Sequence, residues 1–266
     1  MHFSASVISL FLATISLVDA RMQRKRCEDG PITPNVPGKS IDFSTYNSTT
    51  QTPEEFLDEM KFKISNNTVG SFDERTGVVP RIHQKRNVDI VDGALRLLAR
   101  GQSGQGAVPS AEIQSYDSFK FGTLETIAKA TPVAGVCQGI FFYDSDTAEV
   151  DIELLSSYYE TGSETLKPGV TFTNQALIEG QRSTSVSQDY GFDPTVDFHN
   201  YTIRWTENAS EFYVDGEFRQ ALNINVPSIA SKIIFNNWSN GNINWSAGPP
   251  TEDAYFEIRL FKYTPL

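Results

Sequence analysis

The sequence predicts an all-β sandwich of jelly-roll type with one short helix near its N-terminus. Short bursts of alternating apolar and polar residues recur at close spacing, and Gly, Asn, Asp and Pro separate them. Aromatic residues are abundant, with 18 Phe and 10 Tyr, and these side chains suit a half-buried pleated surface. The 266 residues fit one large domain, a size that all-β sandwiches often reach undivided.

Along the chain, the apolar stretch from Val7 to Val18, closed by Val18-Asp19-Ala20, reads as a secretory signal over residues 1–20. It is too short for a comfortable membrane span. Residues 21–40 form a lead-in: Arg21 to Arg26 is a basic, solvated tail ending in a dibasic pair, and the stretch from Glu28 to Ser40 is rich in Pro and Gly. A single domain is expected over 41–266. Thr52-Pro53-Glu54-Glu55 has the cap, the first-turn proline and the closing glutamate of a capping box, with Phe56, Leu57 and Met60 on one side. That is the one helix. Strands are expected at Ala94–Leu98, Lys120–Ala128, Gly139–Tyr143, Glu149–Leu154, Val170–Thr173, Tyr201–Trp205, Glu211–Val214, Lys232–Asn236 and Tyr255–Tyr263. The glycine-rich run from Gly101 to Gly106 lacks the Lys-Ser/Thr ending of a phosphate loop and opens no helical pattern, so it reads as a flexible loop.

A net charge of −11 without a Lys/Arg-rich face argues against nucleic acid or an anionic membrane as partner, and a neutral polymer remains compatible. Three scattered histidines give no metal-ligand pair, and no Gly-x-Ser-x-Gly elbow occurs, so zinc and serine-nucleophile chemistry are not expected. Secretion gives meaning to the sequons at Asn47, Asn66, Asn200 and Asn208, which are expected to carry glycans. Those at Asn237 and Asn244 adjoin a segment expected to line a cleft and should stay bare. Cys27 and Cys137 are the two cysteines, and in an oxidising compartment a disulfide between them would tie the tail to the body.

Glu149-Val150-Asp151-Ile152-Glu153-Leu154 is the most informative segment. Strand alternation places three acids on one face and three aliphatics on the other. Carboxyls that close resist ionising together, so at least one should hold its proton above the ordinary range. Glycoside hydrolysis by two carboxylates needs that asymmetry. Four strand residues span about 13 Å, whereas the carboxyls of retaining enzymes sit about 5–5.5 Å apart, so the side chains must lean together.

With this strand at its centre, the chain from about Val88 to Tyr263 resembles glycoside hydrolase family 16, the laminarinase, lichenase and xyloglucan transferase group. Ala111-Glu112-Ile113-Gln114-Ser115 and Phe119-Lys120-Phe121-Gly122 are similar to the strand pair before the catalytic strand. Phe192-Asp193, Phe198-His199-Asn200-Tyr201 with Trp205, and Phe212-Tyr213-Val214-Asp215-Gly216 resemble the long hairpin after it. Asn236-Asn237-Trp238-Ser239-Asn240-Gly241 is similar to the cleft-lining Asn-x-Trp turn. The resemblance implies a concanavalin A-like sandwich, with Glu149 as nucleophile, Glu153 as general acid/base and Asp151 orienting Glu149. It also implies Trp238 as a stacking platform and Glu112 and Asn236 as hydroxyl partners, with Trp245, Tyr143 and Asn174 as further substrate-binding candidates. Trp205 and His199 belong to the core or hairpin.

The catalytic strand has no extra residue before its last Glu, which resembles the unbulged lichenase and transferase branch. Thr147 and Ala148 stand where lichenases carry Trp-Asp, and Gln114 where they carry an arginine, departures that bear on mixed-linkage specificity. The family includes members with a structural calcium ion, although no loop here announces one; no other cofactor is expected. The leading reading is a secreted, monomeric, retaining endo-β-glucanase acting on β-1,3 or mixed β-1,3/1,4 links. A β-glucan transglycosylase is the alternative, and a non-catalytic lectin-like sandwich ranks last because the acid cluster has no use there.

Overall fold

A computed structural model describes residues 37–104 and 106–266. The expected signal segment, the basic tail and Cys27 lie outside the described residues. Strands are numbered in chain order. One sheet runs β15 (Glu217–Leu222), β14 (Ser210–Val214), β13 (His199–Trp205), β8 (Gly122–Lys129), β17 (Ala254–Pro265), β6 (Ala94–Ala99) and β5 (Val88–Val91), with β1 (Lys39–Asp42) also paired to β17. The other runs β12 (Thr184–Gln188), β11 (Val170–Asn174), β10 (Ala148–Leu155), β9 (Cys137–Ser145), β16 (Ser231–Trp238), β7 (Val108–Phe119), β4 (Arg81–His83) and β3 (Thr68–Val69), with β2 (Phe62–Ile64) also paired to β7. All these pairings are antiparallel except β4 with β7, which is parallel.

The inner faces of the two sheets meet through aromatic pairs. Phe172 of β11 stacks on Phe212 of β14 at 4.7 Å, Phe142 of β9 meets Trp205 of β13 at 5.2 Å, and Phe235 of β16 meets Phe261 of β17 at 5.0 Å. Such pairs add about 0.5–1.5 kcal/mol each beyond the area they bury. Trp205 is fully buried and its indole N–H donates to Pro227 O at 2.9 Å, which satisfies its one polar atom.

Every strand expected from the sequence is present and runs longer by a residue or more at one or both ends, but β8 starts at Gly122 rather than at Lys120, because Phe121 turns the chain at φ 55°. The expected helix is α1 (Pro53–Glu59). Its capping box is complete: Thr52 Oγ1 accepts the Glu55 amide at 3.2 Å, and Glu55 Oε2 accepts the Thr52 amide at 2.8 Å. Phe56 and Leu57 bury the helix against the sandwich. The β14–β15 hairpin turns on Asp215 and Gly216, at φ 51° and 78°, a pair of left-handed residues that Asp-Gly tolerates and that matches strand twist. The lead-in ends sooner than expected, because Lys39 and Ser40 already pair with Tyr263 and Lys262 of β17. No helix among the described residues is long and apolar enough to cross a membrane.

Candidate active site

On β10, Val150, Ile152 and Leu154 are fully buried between the sheets, and Glu149, Asp151 and Glu153 point the other way into a cleft of about 460 Å³. The register against β9 runs unbroken from Glu149 to Leu155, and its one irregularity falls between Ala148 and Glu149. The acids therefore recur every second residue with no bulge between them. Across the sheet they face Tyr143, Phe141 and Gly139 on β9, then Lys232, Ile234 and Asn236 on β16, then Gln114 and Glu112 on β7. Gly139 makes the floor beneath Glu153. A Cβ there would lie 2.6 Å from Asn236 Oδ1 and 3.0 Å from the Phe141 ring.

The three carboxyls are not equivalent. Glu153 Oε1 accepts the Trp245 indole N–H at 3.0 Å and the Cys137 thiol at 3.2 Å, while its Oε2 has no partner among the described residues. A proton on Glu153 therefore belongs on Oε2. Asp151 is almost wholly buried and its Oδ2 accepts the Gln175 amide at 3.2 Å, while its Oδ1 has no partner among the described residues; its carboxyl is coupled to that of Glu149, so the two resist ionising together.

Burial is the main cause pushing all three acids upward, because the cleft strips water from the charged forms. Asp151 rises well above the ordinary range, with the Glu149 and Glu153 charges adding to burial. Glu149 is pushed up to about 8, although the hydrogen bond to Asp151 pulls it down. Glu153 is also raised, with the Trp245 and Cys137 donors opposing burial. Asp151 is the more deeply buried of the pair, so it holds its proton longer and Glu149 is the first of the two to ionise.

Of the residues singled out from the sequence, Glu112, Tyr143, Asn236 and Trp238 line the cleft with the acids. Glu112 is held by Ser65 Oγ at 2.7 Å and by Asn236 Nδ2 at 3.4 Å. Burial lowers the pKa of His83, 3.6 Å from Glu112, so the pair is not an ion pair at neutral pH. Trp245 holds Glu153. Asn174 does not reach the cleft: it pairs with inward-facing Val150, and its amide donates to Leu222 O at 3.4 Å and Ile224 O at 3.0 Å. One step of strand alternation separates it from the outer face.

The same alternation corrects the expectation for Asn237. Its amide points between the sheets to Leu97 O and Ala254 O, whereas its neighbour Trp238 faces the cleft. Asn244 is exposed rather than cleft-lining, and its Oδ1 accepts Thr165 Oγ1 at 3.1 Å. Asn47, Asn66 and Asn208 are exposed and Asn200 is half-buried. Among the described residues Cys137 has no disulfide partner, and its buried thiol lies beside Glu153.

Sequence reasoning missed Arg81, Gln175, Lys232 and the role of Cys137. Lys232 was legible, since it precedes Ile234, Asn236 and Trp238 at the two-residue period of β16. Arg81 was not, because β4 reaches the cleft through a parallel pairing that leaves no local signature. Among the described residues, no group of three or more His, Cys, Asp or Glu is placed to hold a metal ion.

A two-sheet sandwich carrying three graded carboxyls in a cleft on one outer face defines a glycoside hydrolase. The chain belongs to family 16: the profile described as "Glycosyl hydrolases family 16" matches residues 43–255. It is 25% identical to a β-glucanase of Paenibacillus macerans over 195 residues, 71% of this chain and 78% of that one. In fold it is similar to the Bacillus licheniformis β-glucanase, with a TM-score of 0.67 at 20% identity over 86% of this chain and 99% of that one. It is likewise similar to the Crh5 transglycosylase, with a TM-score of 0.58 at 18% identity over 87% and 85%.

Proposed function

We propose that the protein is a secreted, retaining endo-β-glucanase that cleaves β-1,3 or mixed β-1,3/1,4 links. The observation that carries this reading is the inequality of the two glutamates. Glu153 has one oxygen fixed by two donors and the other unpartnered, as a general acid needs, while Glu149 is coupled to the more deeply buried Asp151 two residues on, which supports it as the nucleophile. In the first step a Glu149 oxygen bonds the anomeric carbon while that carbon's bond to the glycosidic oxygen breaks. The leaving oxygen takes the proton from Glu153 Oε2. In the second step, water gives a proton to the Glu153 carboxylate, its oxygen bonds the anomeric carbon, and the ester to Glu149 breaks, restoring both acids with net retention. Asp151, supported by Gln175, orients Glu149 throughout.

Replacing that water with a sugar hydroxyl gives transglycosylation by the same residues. The register of β10, unbroken from Glu149 to Leu155, and the likeness to a transglycosylase support keeping this second reading. Incubating purified protein with laminarin, lichenan and xyloglucan and sizing the products decides: shorter chains support hydrolysis, redistributed chains support transfer, and no change removes both.

Secretion is inferred from the apolar segment 7–18 and its small-residue cleavage site, and exposed sequons support it. A mature N-terminus at Arg21 and a glycosidase-sensitive mass are the expected results; retention of residues 1–20 would remove this part. The disulfide remains a proposal as well, and it competes with the contact seen here, since an oxidised Cys137 has no thiol proton to give Glu153.

A further inference from the structure

Arg81 is the cleft residue whose donors are unused. It enters from β4 and lines the cleft with Glu112, Glu149 and Glu153. Its guanidinium carbon lies 4.0 Å from the centroid of the Trp238 ring, a cation–π contact. Among the described residues it makes no ion pair, and its Nε is buried without a partner. A guanidinium is a rigid fork of five donors, and leaving them idle in a desolvated cleft is costly unless a ligand supplies acceptors.

The Trp238 ring, in turn, is not a bare platform. It packs against the buried cluster formed by Cys137, Leu155, Tyr158 and Ala247, and it carries the guanidinium on a face. We propose that Arg81, seated on Trp238, is the residue that meets the sugar in this part of the cleft, and that Trp238 serves as its support. This rests on the glucanase reading above. The ligand class is an uncharged sugar unit whose hydroxyls accept from the fork. Six carboxylates line the cleft (Glu112, Asp144, Asp146, Glu149, Asp151, Glu153) against the cations Arg81 and Lys232, which disfavours an anionic substituent.

The test uses the full-length secreted protein, the glucan it cleaves best, and the variants Arg81→Met and Arg81→Lys. Met keeps a stem over the indole and removes the donors; Lys keeps the charge but cannot present the planar fork. KM is expected to rise about tenfold or more in Arg81→Met, since each lost charged hydrogen bond is worth one to two powers of ten. Arg81→Lys should recover part of that loss. Thermal midpoints should not fall; both limbs of the pH profile should move upward in Arg81→Met, because the Arg81 charge holds Glu149 and Glu153 down, and stay in place in Arg81→Lys, which keeps that charge. An unchanged or lower KM in Arg81→Met overturns the proposal, because the uncovered indole would then be the sugar platform. Limbs that shift without a change in KM overturn it too, by reducing Arg81 to a counter-charge for the acids. Wild-type protein that cleaves no glucan removes the glucanase reading and this one together, whereas normal cleavage with wild-type KM in both variants removes this one alone.

Discussion

The indole N–H of Trp245 donates to Oε1 of Glu153 at 3.0 Å across 92 residues of chain. This contact decides which oxygen of Glu153 can hold a proton. It also stabilises the ionised form, so it opposes the burial that raises this acid. Trp245→Phe keeps the ring and removes the donor, which should push the Glu153 pKa further up. The alkaline limb of kcat/KM, where the general acid is lost, should then move to higher pH. A pH–rate profile with an unmoved alkaline limb would remove Trp245 from the machinery.

Glu153→Gln cannot supply the proton, and kcat on a polymeric glucan should fall by about 10²–10⁴. Glu149→Gln removes the nucleophile and should abolish turnover with the fold intact. Circular dichroism and a thermal melt check the fold. Wild-type activity in purified Glu149→Gln would end the assignment.

Asp151→Asn separates catalysis from stability. All three acids have folded-state pKa values raised above the unfolded ones, so the stability their protons provide is whole below the ordinary carboxylate range and lost as pH rises through the folded values, about 8 for Glu149. The protein should therefore melt at a higher temperature near pH 4 than near pH 8, as far as this cluster decides. Removing one member of the cluster should raise the midpoint at pH 8 by roughly 2–4 °C per kcal/mol recovered, and leave it nearly unchanged at pH 4. Activity should fall at the same time, because Glu149 loses the carboxyl to which it is coupled. A lower midpoint at pH 8 would show that Asp151 holds the fold rather than straining it.

Gly139→Ala tests the cleft floor. The added methyl would lie 2.6 Å from Asn236 Oδ1, closer than real Cβ contacts come, and 3.0 Å from the Phe141 ring, a tight contact, so Asn236 must shift and Phe141 must give slightly. Overpacking of this kind costs about 1–3 kcal/mol, measurable by urea denaturation. KM should rise with it, since Asn236 is tied to Glu112. A variant as stable as the wild type would show that the floor is looser than these distances indicate.

Much of the fold was legible because it depends on local period. Alternation announced the strands, and Thr52, Pro53 and Glu55 announced α1 through chemistry confined to one helical turn. The same alternation on β10 displayed the three acids, so the centre of the site could be read from six residues. Asn174 and Asn237 show where that reading stopped. Each is a polar residue in a strand beside cleft residues, but the parity of the pairing turns it inward, and parity is fixed by a partner strand the local sequence does not name.

The sequence by itself determined the sandwich, its helix, its acid-bearing strand and the kind of chemistry that strand can perform, because side-chain period and residue type are properties of short segments. Only the tertiary structure decided that Trp245 and Cys137 hold one oxygen of Glu153, that Gln175 supports Asp151, and that Arg81 covers Trp238. Those relationships join residues 16 or more positions apart, and they arise from sheet register and packing, which are set by the whole core at once.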